Sequence, residues 1–288
     1  MVLAESWGTE DMRTQIFDKT VKGFALATYK FKQAVSVVPT PGWKNYFWRE
    51  HPDALTAQTG NAIKGIPRGA AFPQASVTFE RIMSVIEKYG LEDNIPYEDL
   101  ISDDIDVRDR TLLRIAEAVA KAVDDEIWDV LTESQSPANI QSITITGGRW
   151  WSAASAAIID DLLQAKELIA VKNYPTNNLM CFISPKDHRS IMNYLAEKGA
   201  QFPTVGADVA INGNVGKIAG INLIVSNSVT ASYAMVCVPK RCGTWRELVP
   251  LTTVTKEDPL KSLTIRSAEI GVTQLTDPKA VVLITPTS

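Results

Sequence analysis

Between about residues 106 and 133 the chain places Leu112, Ile115, Val119, Val123, Ile127 and Val130 at intervals of three or four. That spacing gathers them on one face of an α-helix. At ~1.5 Å per residue such a helix is about 40 Å long, the length of a structural spine. Ser102, Asp103, Asp104 and Asp106 supply caps and negative charge near its N-terminus. Glu117 with Lys121, and Lys121 with Asp125, can pair on its wet face. The rest of the fold must be arranged around this element.

What precedes the spine is not built like a core. Residues 11–35 carry a broken apolar stripe of Ile16, Phe17, Val21, Phe24, Leu26 and Phe31, interrupted by Gly23. A stripe this weak needs a partner surface. It reads either as a helix on its own core or as an arm on a neighbouring subunit, and the arm is the functional reading. Residues 42–50 are aromatic and extended, with Trp43, Tyr46, Phe47 and Trp48. Gly60, Gly65, Pro67, Gly69 and Pro73 then forbid a helix or a central strand. Alternation returns at 76–86. Two extended limbs around a Gly/Pro-rich tip predict a long hairpin, and a loop of that length calls for a job.

After a break at Pro137, Gly147 and Gly148 comes an α/β region. The pattern predicts a helix over about 154–172, with Ile158, Leu162, Ala165 and Ile169 inward, and a strand over 179–183. Ser184-Pro185-Lys186-Asp187 opens a further helix, with serine as cap, proline in the first turn and aspartate at the positive end. Gly199 ends it. Strands are predicted at 221–226, 233–238, 263–267 and 280–284.

Chemistry is hard to find. The net charge is −4, and no cluster of Lys and Arg suits phosphate gripping. No apolar run reaches the ~18 residues of a bilayer span, and no secretory signal is visible, so an intracellular site of synthesis is expected. Cys181, Cys237 and Cys242 are too few for a disulfide framework and read as buried, reduced thiols. The two histidines, His51 and His188, lie far from them, so no metal site is expected. Gly213 to Lys217 fails the phosphate-loop pattern, because Ile211 and Ile218 stand where glycine and a hydroxyl are needed. The adjacent acids Asp103-Asp104 and Asp124-Asp125 read as capping and solvation rather than as catalytic pairs. Trp150-Trp151 suits either an interior or a subunit contact. No catalytic residue and no cofactor site is predicted.

Three passages carry a family likeness. Arg108 to Ile127, ending Asp124-Asp125-Glu126-Ile127, looks like a spine helix closing on "D-x-x-I". Lys217-Ile218-Ala219-Gly220-Ile221-Asn222-Leu223-Ile224-Val225-Ser226-Asn227 is similar to a "G-I-x-V-x-x-S" strand. Lys256-Glu257-Asp258-Pro259, Leu263-Thr264-Ile265-Arg266 and Asp277-Pro278-Lys279-Ala280-Val281-Val282 resemble a set of closing strands. In this order the parts resemble the tailed-phage major capsid family, over nearly the whole chain.

The resemblance implies an α+β fold with an N-terminal arm (1–40), an extended hairpin loop (41–86), a peripheral domain with the spine helix (87–139 and 246–288) and an axial domain (140–245). It implies a major capsid protein that assembles through pentamers and hexamers into an icosahedral shell around double-stranded DNA. That shell belongs to the virion, is built in the host cytoplasm and involves no membrane. The expected partners are copies of itself, a separate scaffolding protein, a portal and a cement protein. Phe17, Phe24, Leu55, Ile63, Lys64, Ile66 and Arg68 are the candidate contacts between subunits. Some family members carry a scaffolding segment before the spine, and here the spine starts too early for one, which implies a separate scaffold or a processed chain. Some lock the shell by a lysine–asparagine bond. Lys64 lies near the hairpin tip, but residues 250–288 hold no asparagine, so a non-covalent shell is expected. The rival readings are an encapsulin-type nanocompartment shell and, from another class, a soluble α/β enzyme.

Overall fold

The computed structural model describes residues 17–25, 28–50, 67–71, 79–102, 107–145, 149–153, 155–199 and 216–286. They form two compact units. The first is drawn from Met1–Asn45, Ser84–Trp128 and Trp245–Thr273, the second from Tyr46–Met83, Asp129–Thr244 and Gln274–Ser288.

The first unit sets a long helix and a four-stranded sheet around a common core. Helix α1 covers 17–25. Strand β1 is Ser36–Pro39, β4 is Glu87–Pro96, β10 is Thr244–Asp258 and β11 is Ser262–Gln274, in sheet order β1-β10-β11-β4. β4 runs antiparallel to β11, from Ser262 opposite Pro96 to Gly271 opposite Glu87. A short helix, α2 (Tyr97–Ser102), precedes the spine helix, α3 (Val107–Leu131). The predicted stripe is the buried face: Leu112, Ile115, Val119, Val123 and Ile127 are all essentially inaccessible. Val130 is only half-buried, while Trp128 is buried and meets Phe31 edge to face at 5.8 Å.

The weak N-terminal stripe finds its partner surface inside its own unit. Val21, Ala25, Tyr29, Phe31, Ala34 and Val35 are buried. Asp18 accepts the N–H of Thr253 at 2.8 Å, and Tyr29 donates its hydroxyl to Glu269 at 2.5 Å. The described part of the arm is therefore packed on its own chain, and only residues off that face remain for neighbours.

The second unit is a six-stranded mixed sheet. β5 is Gln141–Ile145, β6 Met180–Ile183, β7 Lys217–Ile218, β8 Ile221–Val225, β9 Ala234–Cys237 and β12 Val281–Pro286, in order β5-β12-β9-β6-β8-β7. β12 is parallel to β5 and antiparallel to β9, and β6 is parallel to β8 and antiparallel to β9. β9 is buried at every position, and β6 and β12 nearly so. Strands covered on both faces read as continuous apolar runs rather than alternations. One cover is helix α4 (Ile158–Val171), which turns Ile158, Leu162, Ala165 and Ile169 inward as predicted. Helix α5 (Pro185–Gly199) begins and ends where the sequence places its cap and its glycine.

The third sheet is small. Among the described residues, β2 (Lys44–Glu50) and β3 (Phe79–Val85) pair only with each other.

Candidate functional site

The buried polar groups come first, because catalysis would use them. Trp150 and Trp151 stack at 5.2 Å, nearly parallel, inside the second unit. Their indole N–H groups donate to Asp187 at 2.7 Å and to Asp161 at 3.1 Å. Of the two readings open to this pair, the interior is the one observed. Asp187 also accepts from the Ser184 hydroxyl at 2.6 Å and from the N–H of Ser232 at 3.1 Å, while its own N–H donates back to Ser184. Ser184 thus caps the helix through the Asp187 N–H, and the Asp187 carboxylate takes the serine's hydroxyl proton in return. Asp277 is held by the Tyr174 hydroxyl at 2.7 Å and by Arg241 at 3.0 Å. Each of these carboxylates is occupied by structural donors.

The thiols behave likewise. Cys181, Cys237 and Cys242 are buried thiols, none of them in a disulfide. Burial pushes the Cys181 thiol far up, and the neighbouring Cys242 together with burial does the same for Cys237. A thiol held neutral is a poor nucleophile and a poor metal ligand. Among the described residues no group of three or more His, Cys, Asp or Glu is placed to hold a metal ion. No helix among them is long and apolar enough to cross a membrane. His188 lies within α5, and His51 lies outside the described residues.

Asp124 corrects the sequence reading. The sequence reads it with Asp125 as capping and solvation, yet it is 3% exposed. It accepts the N–H groups of Lys30 at 2.8 Å and Phe31 at 3.1 Å. The signal was available: Ala120, Asp124 and Trp128 are four apart, so Asp124 borders the buried stripe rather than the wet face.

What the molecule leaves unfinished is the β2–β3 hairpin. Trp48 is 61% exposed, Tyr46 52%, Met83 51% and Phe79 49%. In a strand, alternate side chains share a face. Tyr46 and Trp48 therefore project together from β2, and Arg81 and Met83 from β3. The Arg81 guanidinium lies 4.1 Å from the centre of the Tyr46 ring, which puts both pairs on one side of the ribbon. On the other side Arg49 and Glu80 form an ion pair at 2.5 Å. A two-stranded ribbon is marginal alone in water, and one face of this one is aromatic, apolar and bare. Aromatic and arginine side chains at this density are what subunit interfaces favour.

Of the seven contact candidates, Leu55, Ile63, Lys64 and Ile66 lie outside the described residues. Arg68 is exposed in a turn closed by the N–H of Ala70 on the carbonyl of Pro67. Phe17 and Phe24 are half-buried on α1. The candidate list passed over Tyr46, Trp48, Phe79 and Met83, although the aromatic run at 42–50 had already marked that strand.

The model of the family described as phage capsid protein matches residues 80–284. The chain belongs to the phage capsid protein family. No curated protein sequence matches this capsid protein. Its fold is close to that of the capsid of Cyanophage P-SCSP1u, with a TM-score of 0.68, 14% identity and coverage of 90% of this chain and 88% of that one. The mature capsid of bacteriophage PhiM1 gives 0.62, 15%, 90% and 87%. A virus-like particle from Pyrococcus furiosus gives 0.64, 10%, 94% and 99%. At these identities the likeness speaks for the α+β capsid fold. The chain is a capsid shell protein of a bacteriophage type, and its place is the virion.

Proposed function

We propose that this capsid protein assembles through pentamers and hexamers into an icosahedral shell enclosing double-stranded DNA, each subunit laying its β2–β3 hairpin on a neighbouring copy. The observation that carries this is the bare face of Tyr46, Trp48, Arg81 and Met83. An apolar ribbon with no layer above it is unfavourable in water, and a second copy is the partner always at hand during assembly. Residues 87–139 and 246–288 act as the peripheral domain and 140–245 as the axial domain near the capsomer centre, with β12 of the closing segment lent to the axial sheet. Residues 1–40 and 41–86 serve as arm and hairpin. Phe17, Phe24, Leu55, Ile63, Lys64, Ile66 and Arg68 add contacts. Assembly takes place in the host cytoplasm with a scaffolding protein, a portal and a cement protein. It needs no cofactor, and the subunit catalyses nothing. The shell holds by non-covalent contacts.

Electron microscopy of the purified protein tests this directly. Closed shells are expected, and Trp48→Glu, which puts a charge on the bare face, should leave free capsomers or subunits. Normal particles from that variant overturn the role given to the hairpin. A second reading, a nanocompartment shell without a genome, is favoured by the likeness that covers 99% of the Pyrococcus furiosus virus-like particle chain. Particles recovered from their natural source with packaged DNA decide for the viral reading, and particles filled with protein cargo decide against it.

A further inference from the structure

The tip of the β10–β11 hairpin breaks a rule that the rest of the described chain keeps. Eight described residues other than glycine have a positive φ; six are polar and one is alanine. The eighth is Leu260, with a φ of 60°. The N–H of Lys261 donates to the carbonyl of Asp258 at 3.1 Å and closes the turn Asp258-Pro259-Leu260-Lys261. Proline fixes a negative φ at the second position. A positive φ at the third then makes this a type II turn, whose third position prefers glycine or asparagine. Leucine there brings its Cβ against a carbonyl oxygen and strains the backbone. The strain is not offset inside the subunit, because Leu260 is 78% exposed, more than any other large apolar residue described. The turn is also braced. Ser262 pairs with Pro96 in the β4–β11 ladder, and the N–H of Tyr97 donates to the Lys261 carbonyl at 3.0 Å. Asp258 and Lys261 form an ion pair across the turn at 3.3 Å. With Lys256 and Glu257 they cancel to zero net charge.

We propose that Leu260 is an assembly contact, a leucine held out on a braced turn to bury itself against a second copy of this chain. The proposal rests on the shell reading above and adds to it a contact away from the β2–β3 hairpin. Exposure alone would call for no explanation, since single apolar residues are common on surfaces. Exposure at a strained position does, because a local rule broken without gain inside the fold marks a residue kept for something outside it. An apolar knob is covered by apolar surface, not by an ion or a phosphate backbone. The charges of the tip are already balanced among themselves, so it does not select a partner of opposite charge. On a chain of net charge −4, a neutral patch is where identical copies meet with least repulsion. The subunit gives up some folding stability at this turn and gains association.

Full-length Leu260→Asn and Leu260→Gly supply the residues that the turn prefers, and they should move folding and assembly in opposite directions. Their dissociated subunits should melt about 2–4 °C above the wild type as the strain is relieved. The protein concentration needed for shells, followed by light scattering and electron microscopy, should rise about tenfold or more with the loss of one buried leucine. Leu260→Met keeps an apolar side chain and should assemble as the wild type does. A photo-crosslinking residue placed at position 260 of assembled particles should join two copies of the chain, identified by mass spectrometry. Normal assembly of the asparagine and glycine variants overturns the proposal. So does a fall in their subunit stability, which would put Leu260 in a packed contact of its own chain. Crosslinks confined to one chain, or a methionine variant as defective as the asparagine one, overturn it as well. Wild-type shells with unaffected Leu260 variants would sink this contact and leave the shell reading standing, whereas failure of the wild type to form shells would sink both.

Discussion

The six-stranded sheet and the β2–β3 hairpin use the same kinds of residue and end in opposite conditions. β9 and β12 bury Val236, Met235, Val281, Val282 and Leu283 completely. β2 and β3 leave Trp48, Tyr46 and Met83 more than half exposed. The strands do not differ in hydrophobicity. They differ in what the chain supplies to cover them, since α4 lies on the large sheet while the hairpin pairs only with itself. On the function proposed above, a chain that covers one apolar sheet and leaves another bare divides its apolar surface between folding and association. Substitutions in the covered parts should therefore change subunit stability. Those on the bare ribbon should change assembly.

The largest effect belongs to the spine. Val119 is 2% exposed in the middle of the α3 stripe. Val119→Asp puts an uncompensated carboxylate there and should cost about 4 kcal/mol or more, enough to unfold many domains. Circular dichroism and solubility check it. A soluble, folded variant would break the comparison at its covered end.

Next comes Asp187, which binds the Trp150 indole, the Ser184 hydroxyl and the Ser232 N–H while fully buried. Asp187→Ala strands all three donors and should lower stability by about 2–4 kcal/mol, measured as a shift in denaturant midpoint. Asp187→Asn keeps an acceptor and should cost less. Equal losses would show that the carboxylate's charge, rather than its hydrogen bonds, is what the site uses.

A close approach in the first unit gives a smaller effect. A Cβ on Gly271 would lie 2.4 Å from the Trp245 ring and 2.8 Å from the carbonyl of Arg246. Gly271→Ala must push the indole off its hydrogen bond to Glu269, and should cost about 1–3 kcal/mol. Thermal unfolding with tryptophan fluorescence as the readout checks both the loss and the displacement.

Much of the covered part was legible in the sequence, and the reason is local. The α3 stripe, the inward residues of α4 and the Ser184 cap each announce themselves within a dozen residues. What was illegible depends on distant partners. β4, with the sequence EKYGLEDNIP, is mostly polar or charged, has no alternation and is held by its ladder to β11. Of β10 the likeness marks only the end, Lys256–Asp258, and Pro250 argues locally against a strand. The strand it meets on that side, β1, is only four residues long. The final apolar run was foreseen as a strand, but nothing local says that Val282 pairs with Gln141 on one side and Val236 on the other. The site divides in the same way. The aromatic run at 42–50 marked the hairpin, whereas which of its side chains stay bare depends on what the rest of the chain fails to cover. Asp124 was misread because its partners, Lys30 and Phe31, lie more than ninety residues away.

The smallest expected effect on the subunit sharpens the comparison most. Tyr46→Ser together with Trp48→Ser removes two aromatic rings from the bare face. Had those rings been covered as Trp151 is, each truncation would cost about 3–5 kcal/mol. At 52% and 61% exposure they make few contacts within the chain. The loss is mainly the Tyr46 ring under Arg81, worth about 0.5–1 kcal/mol at an exposed site. Dissociated subunits of the variant should thus melt within a few degrees of the wild type, since ~1 kcal/mol shifts a domain of this size by only about 2–4 °C. Wild-type particles should melt well above both, because association stabilises by mass action whatever binds only the folded state. The particle increment should disappear in the variant. If dissociated subunits instead lose stability on the scale of the Val119 substitution, the hairpin is packed in solution against its own chain, and the division between covered and bare surface falls with it.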